Sequence, residues 1–359
     1  MRTHYEQRME ADLAEIRRKL RKVSDLVESQ VHKAVHSIGT ADWELANEVI
    51  LGDRQVNRRI KQLDYLCHAF IVRHAPSAGH LRFASATLRL DVALERIGDY
   101  AGTIGREVVR LSSPPPSSIA RDIDLIGQQA RHTLSQSLKA FHEGDMALAK
   151  ETYGLADQTD LTLDNVIADL HEAGERRELP LRDIFGMLRI VNLIKRVAEQ
   201  AENICEQTMF AVSGAARDPR IYRILFVDER NDRESQIAEA YARKAFPESG
   251  IYASAGWSPA RSLDPALIEF MDQHGVDMRE AHPAMLLPLK EVPEHFHVVV
   301  GLGRGARERI GEVPYRTTVL EWALEAPPGF DEEPLKEVYQ SVVVRVQDLV
   351  KTLAGPDAA

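Results

Sequence analysis

The chain has 359 residues, 44% hydrophobic and 28% charged, the make-up of a folded protein of two or three domains rather than a disordered one. Forty-five basic residues against 55 acidic ones leave a formal charge of −10, which argues against nucleic-acid binding steered by the overall field. Two cysteines, Cys67 and Cys205, make no disulfide framework and point to a reducing compartment, the cytoplasm. The charged opening MRTHYEQRMEADL lacks the apolar core of a secretory signal, and no segment approaches a membrane-spanning run of apolar residues.

Helical periodicity fills the first 210 residues. Leu13, Ile16, Leu20, Val23, Val27, Val31, Ala34 and Ile38 recur at steps of three and four, one buried face of a long helix. Asp42 is placed to cap the next, which carries Leu45, Val49, Val56, Ile60 and Leu63. Pro76 and Gly79 mark a turn, and a third helix runs from about Leu81 to Leu111, where Pro114, Pro115 and Pro116 stop it. A second set follows: Ile119 to His142, then a helix opened by Asp145 and reaching His171, then one begun at Pro180 and ending near Phe210.

The two sets look duplicated. Asp42 and Asp145 open corresponding helices, and Arg96/Arg196, Asp99/Glu199, Ala101/Ala201 and Ile104/Ile204 are pairs 100 residues apart. Long amphipathic helices with short connections bury their stripes by packing as antiparallel three-helix bundles.

The pattern changes after Gly214. Arg220 and Arg223 flank a strand at Ile224–Val227, followed by a polar loop and a helix from Ser235 to Ala245. A strand at Gly250–Ser254, a helix from Asp264 or Pro265 to His274, a short edge strand at Leu286–Leu287, a buried strand at His297–Val300 and a helix from Glu332 to Leu353, ended by Gly355 and Pro356, complete the chain. Strands alternating with helices predict a small sheet covered on both faces. The expected fold is therefore multidomain: all-α tandem three-helix bundles over 1–112 and 117–214, then a small α/β domain over 221–355 with a mainly parallel four-stranded sheet.

Asp91, Glu95 and Asp99 lie four apart and so share one helical face. Like charges at that spacing repel. The face is either solvated, paired with arginine or lysine, or the donor set for a hard or borderline cation. His68, His74 and His80 are scattered and read as structural or surface residues.

Leu94-Glu95-Arg96-Ile97-Gly98-Asp99 followed by Ala101 resembles the signature of the PhoU family of phosphate-signalling regulators, and residues 1–212 resemble that family in both repeats. The second repeat carries a variant: Arg196, Glu199, Ala201, Asn203, Ile204 and Glu206, with Lys195 at the place of the first glutamate and Val191 at that of Asp91. In the first repeat Thr103 stands where asparagine is usual, and Arg106 where glutamate is. The resemblance implies a protein that connects a phosphate ABC transporter ATPase to a sensor histidine kinase by protein–protein binding, in peripheral association with membrane proteins and with a homodimer left open. It also implies an optional iron, manganese or zinc site at Asp91, Glu95, Asp99 and Glu199, with the first repeat the better half, because Lys195 supplies an internal counter-charge. No cofactor is required for the regulator.

Residues 221–353 resemble the low-molecular-weight tyrosine phosphatase and arsenate reductase family. Aligning Asn231 and Ser235 with its phosphate loop puts Asp228 where the nucleophilic cysteine stands and Glu234 where the oxyanion-binding arginine stands. Ser254-Ala255-Gly256, the His297–Val300 strand and Trp322 before Pro327 also match. No cysteine follows Cys205, so the thiolate is lost and a carboxylate faces the incoming anion. The resemblance implies a pseudoenzyme whose degenerate phosphate loop is Asp228, Asn231, Glu234 and Ser235. Two other readings stay open: a metal-binding storage or sensing module, and an enzyme with an altered phosphoryl site centred on Asp228.

Overall fold

A computed structural model describes residues 4–214, 221–290, 292, 296–314, 317–324 and 329–355, apart from the side chains at 157, 158, 160 and 161. The chain divides into two units, Met1–Arg217 and Asp218–Ala359. The predicted boundary near 214–222 falls largely on residues outside those described, as do Arg220, Pro327 and Pro356.

The first unit is helical throughout: α1 His4–Thr40, α2 Trp43–His74, α3 Ala78–Arg110, α4 Ser117–Glu143, α5 Met146–Tyr153, α6 Gln158–Glu175 and α7 Leu181–Ser213. The two predicted caps are both made. The Asp42 carboxylate accepts from the Leu45 N–H at 2.9 Å, and the Asp145 carboxylate from the Leu148 N–H at 3.0 Å. One prediction needs correction. The helix expected from Asp145 to His171 is broken into α5 and α6 by a 3-10 turn at Gly154–Asp157, which the unbroken apolar periodicity concealed.

α3 packs on both α2 and α7, and α1 lies against α4, so the two three-helix sets share one apolar core running from Leu13 to Ile204. The duplicated positions Ala101, Ala201, Ile104 and Ile204 are all buried in it. At Gly105 a Cβ would meet the Ala46 carbonyl oxygen at 2.8 Å, so only glycine lets α2 and α3 approach this closely. Asp183, fully buried at the start of α7, accepts from the Ser112 backbone N–H at 3.2 Å and from its hydroxyl at 3.3 Å, pinning the chain just after α3 to α7. Cys67 and Cys205 are free and buried. Burial pushes the Cys67 thiol up strongly, helped by Asp91 and Asp64, and pushes the Cys205 thiol up to about 12, helped by Glu202 and Glu206. Both are expected to stay silent to a thiol reagent in the folded chain at mildly alkaline pH and to react once guanidinium unfolds it. Rapid native labelling of either would contradict this packing.

The second unit is a four-stranded parallel sheet in the order β2-β1-β3-β4, with β1 Tyr222–Asp228, β2 Gly250–Gly256, β3 Val298–Leu302 and β4 Thr318–Trp322. Its helices are α8 Glu234–Ala245, α9 Pro265–Gln273, the short α10 Ala306–Ile310 and α11 Glu332–Ala354. Alternation along the strands sends Ile224, Phe226, Val298 and Val300 into one core with α8, α9 and α11, and Leu225, Val227 and Val299 into a second with Ile310. The predicted edge strand at Leu286–Leu287 does not form. Met285 makes only an isolated bridge to Gly256, and the edges of the sheet are β2 and β4. Pro283 and Pro288 limit pairing around the predicted segment. Among the described residues, no helix is long and apolar enough to cross a membrane.

Candidate functional site

Two places in the fold carry the chemistry that the sequence singles out, one in each unit. In the first, Asp91, Glu95 and Asp99 project from α3. Asp91 is 3% exposed and neither of its carboxylate oxygens has a hydrogen-bond partner. Burial, reinforced by the nearby Asp64 and Glu95 charges, raises its pKa to about 8, so it is held largely protonated at neutral pH. Asp99 is exposed but also raised, by burial of part of its carboxyl and by the neighbouring Asp53 and Glu95 charges. Glu199, on α7, is 3.7 Å from the Lys195 ammonium, the internal counter-charge that the second repeat's substitution suggested.

A metal requires these oxygens to converge. Among the described residues no group of three or more His, Cys, Asp or Glu side chains comes together as a ligand set. Sequence spacing put three carboxylates on a face, but depth separates them: Asp91 is buried and Asp99 exposed. His74, read from sequence as structural or surface, is buried, and its Nε2 lies 2.8 Å from the Asp12 carboxylate. The hydrogen bond from His74 is the chief cause that holds Asp12 below the usual carboxylate range. Nothing in the local sequence signals this pair, whose members are 62 positions apart.

In the second unit the site lies at the carboxyl end of β1, where the sheet order places β2 on one side and β3 on the other. In open α/β sheets this is the place where ligands bind. Asp228 ends β1, the loop turns through Asn231 in the left-handed region (φ 48°), and α8 begins at Glu234. The Asn231 side chain fixes the turn. Its amide donates to the Ser235 hydroxyl at 2.8 Å, and its carbonyl accepts from Gln236 at 3.0 Å and from the Ala284 N–H at 2.7 Å. Gly256, at the end of β2, backs the loop so closely that a Cβ there would meet the Asn231 nitrogen at 2.8 Å.

The N–H groups of this loop point at Asp228 itself. Its Oδ1 accepts from the Asn231 N–H at 2.5 Å, and its Oδ2 from the Ser235 N–H at 2.9 Å, the latter at the start of α8. Burial raises the Asp228 pKa, and Glu234 adds to the rise, while the Ser235 hydroxyl and the two backbone donors pull it back. The surrounding charges are paired off: Arg230 with Asp232 at 2.7 Å, and Arg233 with Glu234, its Nε at 3.0 Å. Arg233 also donates to the Gly329 carbonyl at 2.7 Å. Asp228, Asn231 and Ser235 are thus brought together. Glu234 is engaged by its neighbour Arg233.

Residues 20–108 and 123–208 match the PhoU domain family, and residues 223–357 match the low molecular weight phosphotyrosine protein phosphatase family. The first unit is a PhoU-family region. It is fused to a phosphatase-like domain. The PhoU-family region is 28% identical over 213 residues to the phosphate-specific transport system accessory protein PhoU of Serratia marcescens, a match covering 59% of this chain and 87% of that protein. A PhoU homolog of Pseudomonas aeruginosa is 29% identical over 223 residues, covering 59% of this chain and 88% of its own length. The crystal structure of PhoU from Pseudomonas aeruginosa superposes with a TM-score of 0.54 at 26% identity, covering 57% of this chain and 99% of that one. The tandem PhoU-family bundles and the four-stranded phosphatase-like sheet are the architecture expected from sequence.

Proposed function

We propose that this chain is a non-catalytic regulator of phosphate signalling that works by stoichiometric docking. The PhoU-family region engages the cytoplasmic ATPase of a phosphate transporter and a sensor histidine kinase, and the phosphatase-like domain is a pseudoenzyme that adds binding surface. Regulation of phosphate signalling follows from the family, and the names of its relatives as transport accessory proteins support docking on a transporter. The observation that carries the non-catalytic half is the Asp228 carboxylate, seated on the Asn231 and Ser235 N–H groups. A phosphate ester reaching this loop meets a filled anion site and a carboxylate at Glu234 in place of a guanidinium. Removing one oxyanion donor already costs about 3 kcal/mol of transition-state stabilisation, and reversing a charge costs more.

The test is a deletion strain carrying a phosphate-starvation reporter. Loss of the gene is expected to give starvation expression at high phosphate, and the full chain to restore repression. The Asp228→Asn variant keeps the shape of the side chain and is expected to restore it equally, with no phosphoester turnover by either purified protein. Repression that depends on Asp228, accompanied by turnover, would replace the regulator with an enzyme. Co-purification of the chain with the transporter ATPase or the kinase at high phosphate is the direct reading of docking.

A further inference from the structure

A hollow of about 350 Å³ lies where the end of α3 meets the start of α7, walled by Arg110, Arg182, Arg189 and Phe185 and floored by Glu107 and Leu111. Gly186 forms part of its wall, where a Cβ would already touch Leu111 at 3.1 Å. Glu107 is buried and accepts from Arg189 at 2.8 Å and from Arg110 at 3.5 Å, which fixes two guanidiniums at the rim with their remaining N–H groups unengaged by it. Arg182 has no carboxylate partner among the described residues. Three guanidiniums face the Glu107 carboxylate, and with Asp183 buried beside Leu111 the spot keeps a surplus of one positive charge on a chain of −10. Beside them, Phe185 is 66% exposed and Leu181, one turn earlier on α7, is 70% exposed.

We propose that this hollow docks an acidic segment of a partner protein, one with carboxylates flanking an apolar anchor. The inference rests on the docking reading above and assigns it a face. Opposite charge selects an acidic occupant, and exposed phenylalanine beside arginine is the composition of an interface centre rather than of a solvated helix face. The floor disfavours a compact anion. A phosphate that entered would meet the Glu107 carboxylate, with the negative end of α3 and the positive start of α7 offsetting each other, whereas carboxylates spaced along a peptide reach the rim guanidiniums and leave the apolar anchor to Phe185 and Leu181.

The experiment titrates the full chain into a fluorescein-labelled Glu-Glu-Leu-Phe-Glu-Glu peptide and reads anisotropy. Saturable binding is expected. Arg182→Glu is expected to weaken it at least about tenfold and Phe185→Ala severalfold, with unchanged thermal unfolding because both side chains are exposed. Equal affinity in both variants, or displacement of the peptide by inorganic phosphate at matched ionic strength, would overturn the proposal. The starvation reporter separates it from the reading beneath it. A chain carrying both substitutions that represses as well as the unaltered one removes this face while docking stands. An unaltered chain that binds the peptide but does not repress removes the regulator while the surface stands.

Discussion

Asp91→Asn is expected to stabilise the folded chain at neutral pH by on the order of 3 kcal/mol, measured by urea unfolding. The carboxyl is buried without a partner, and its pKa is raised to about 8 from an ordinary value of 3.8. The folded chain therefore binds one more proton than the unfolded one between those values. Unfolding releases that proton, so stability falls as pH rises through the window from 3.8 to about 8, and levels off above it. Asparagine has the same shape and carries no charge, so the variant should lose this slope and the gap between the two proteins should widen from pH 4 to pH 8. A bound divalent cation would invert the sign. It would hold Asp91 ionised, and Asn would then destabilise the chain and abolish a chelator-sensitive gain in stability. Parallel pH profiles for the two proteins would show that Asp91 is not the protonated, orphaned group described here.

The second large effect is expected at Asp228. Asp228→Ala leaves the Asn231 and Ser235 N–H groups facing an empty, buried site, at a cost of about 2–4 kcal/mol in stability. Unlike most buried losses, this one should be reversible from solution. Phosphate or sulfate at matched ionic strength is expected to raise the melting temperature of Asp228→Ala and leave that of the unaltered chain unmoved, since an anion at a hundred times its Kd adds about 2.7 kcal/mol. Equal stabilisation of both proteins would mean that Asp228 does not fill the loop, and the pseudoenzyme reading would lose its main support.

Much of this was legible in the sequence because the signals were local. Apolar steps of three and four fix α1, α2, α3, α4 and α7, and Asp42 and Asp145 cap their helices as their positions foretell. The strands β1 and β3 are built on the continuous apolar runs Ile224–Val227 and Val298–Val300, as buried parallel strands require. What escaped was set by partners distant in the chain. β4 is a half-exposed segment carrying Thr318 and Glu321, and only its parallel pairing with β3 makes it a strand. The spacing of Asp91, Glu95 and Asp99 gives their common face but not their different depths, which depend on where α2 crosses α3. The loop residues Asp228, Asn231 and Ser235 could be named from their spacing. That the carboxylate turns inward onto its own loop depends on the Asn231 backbone at φ 48°, a torsion that spacing does not encode.

The tethered carboxylate at Asp228 has a physiological corollary. A loop that recruits its counter-ion from the surroundings tightens and slackens with the abundance of that ion, whereas one whose counter-ion is covalently attached keeps the same form in famine and plenty. On the docking reading proposed above, the phosphatase-like half is expected to be a constant in any nutrient response, and what varies with phosphate supply to enter through the proteins the chain meets.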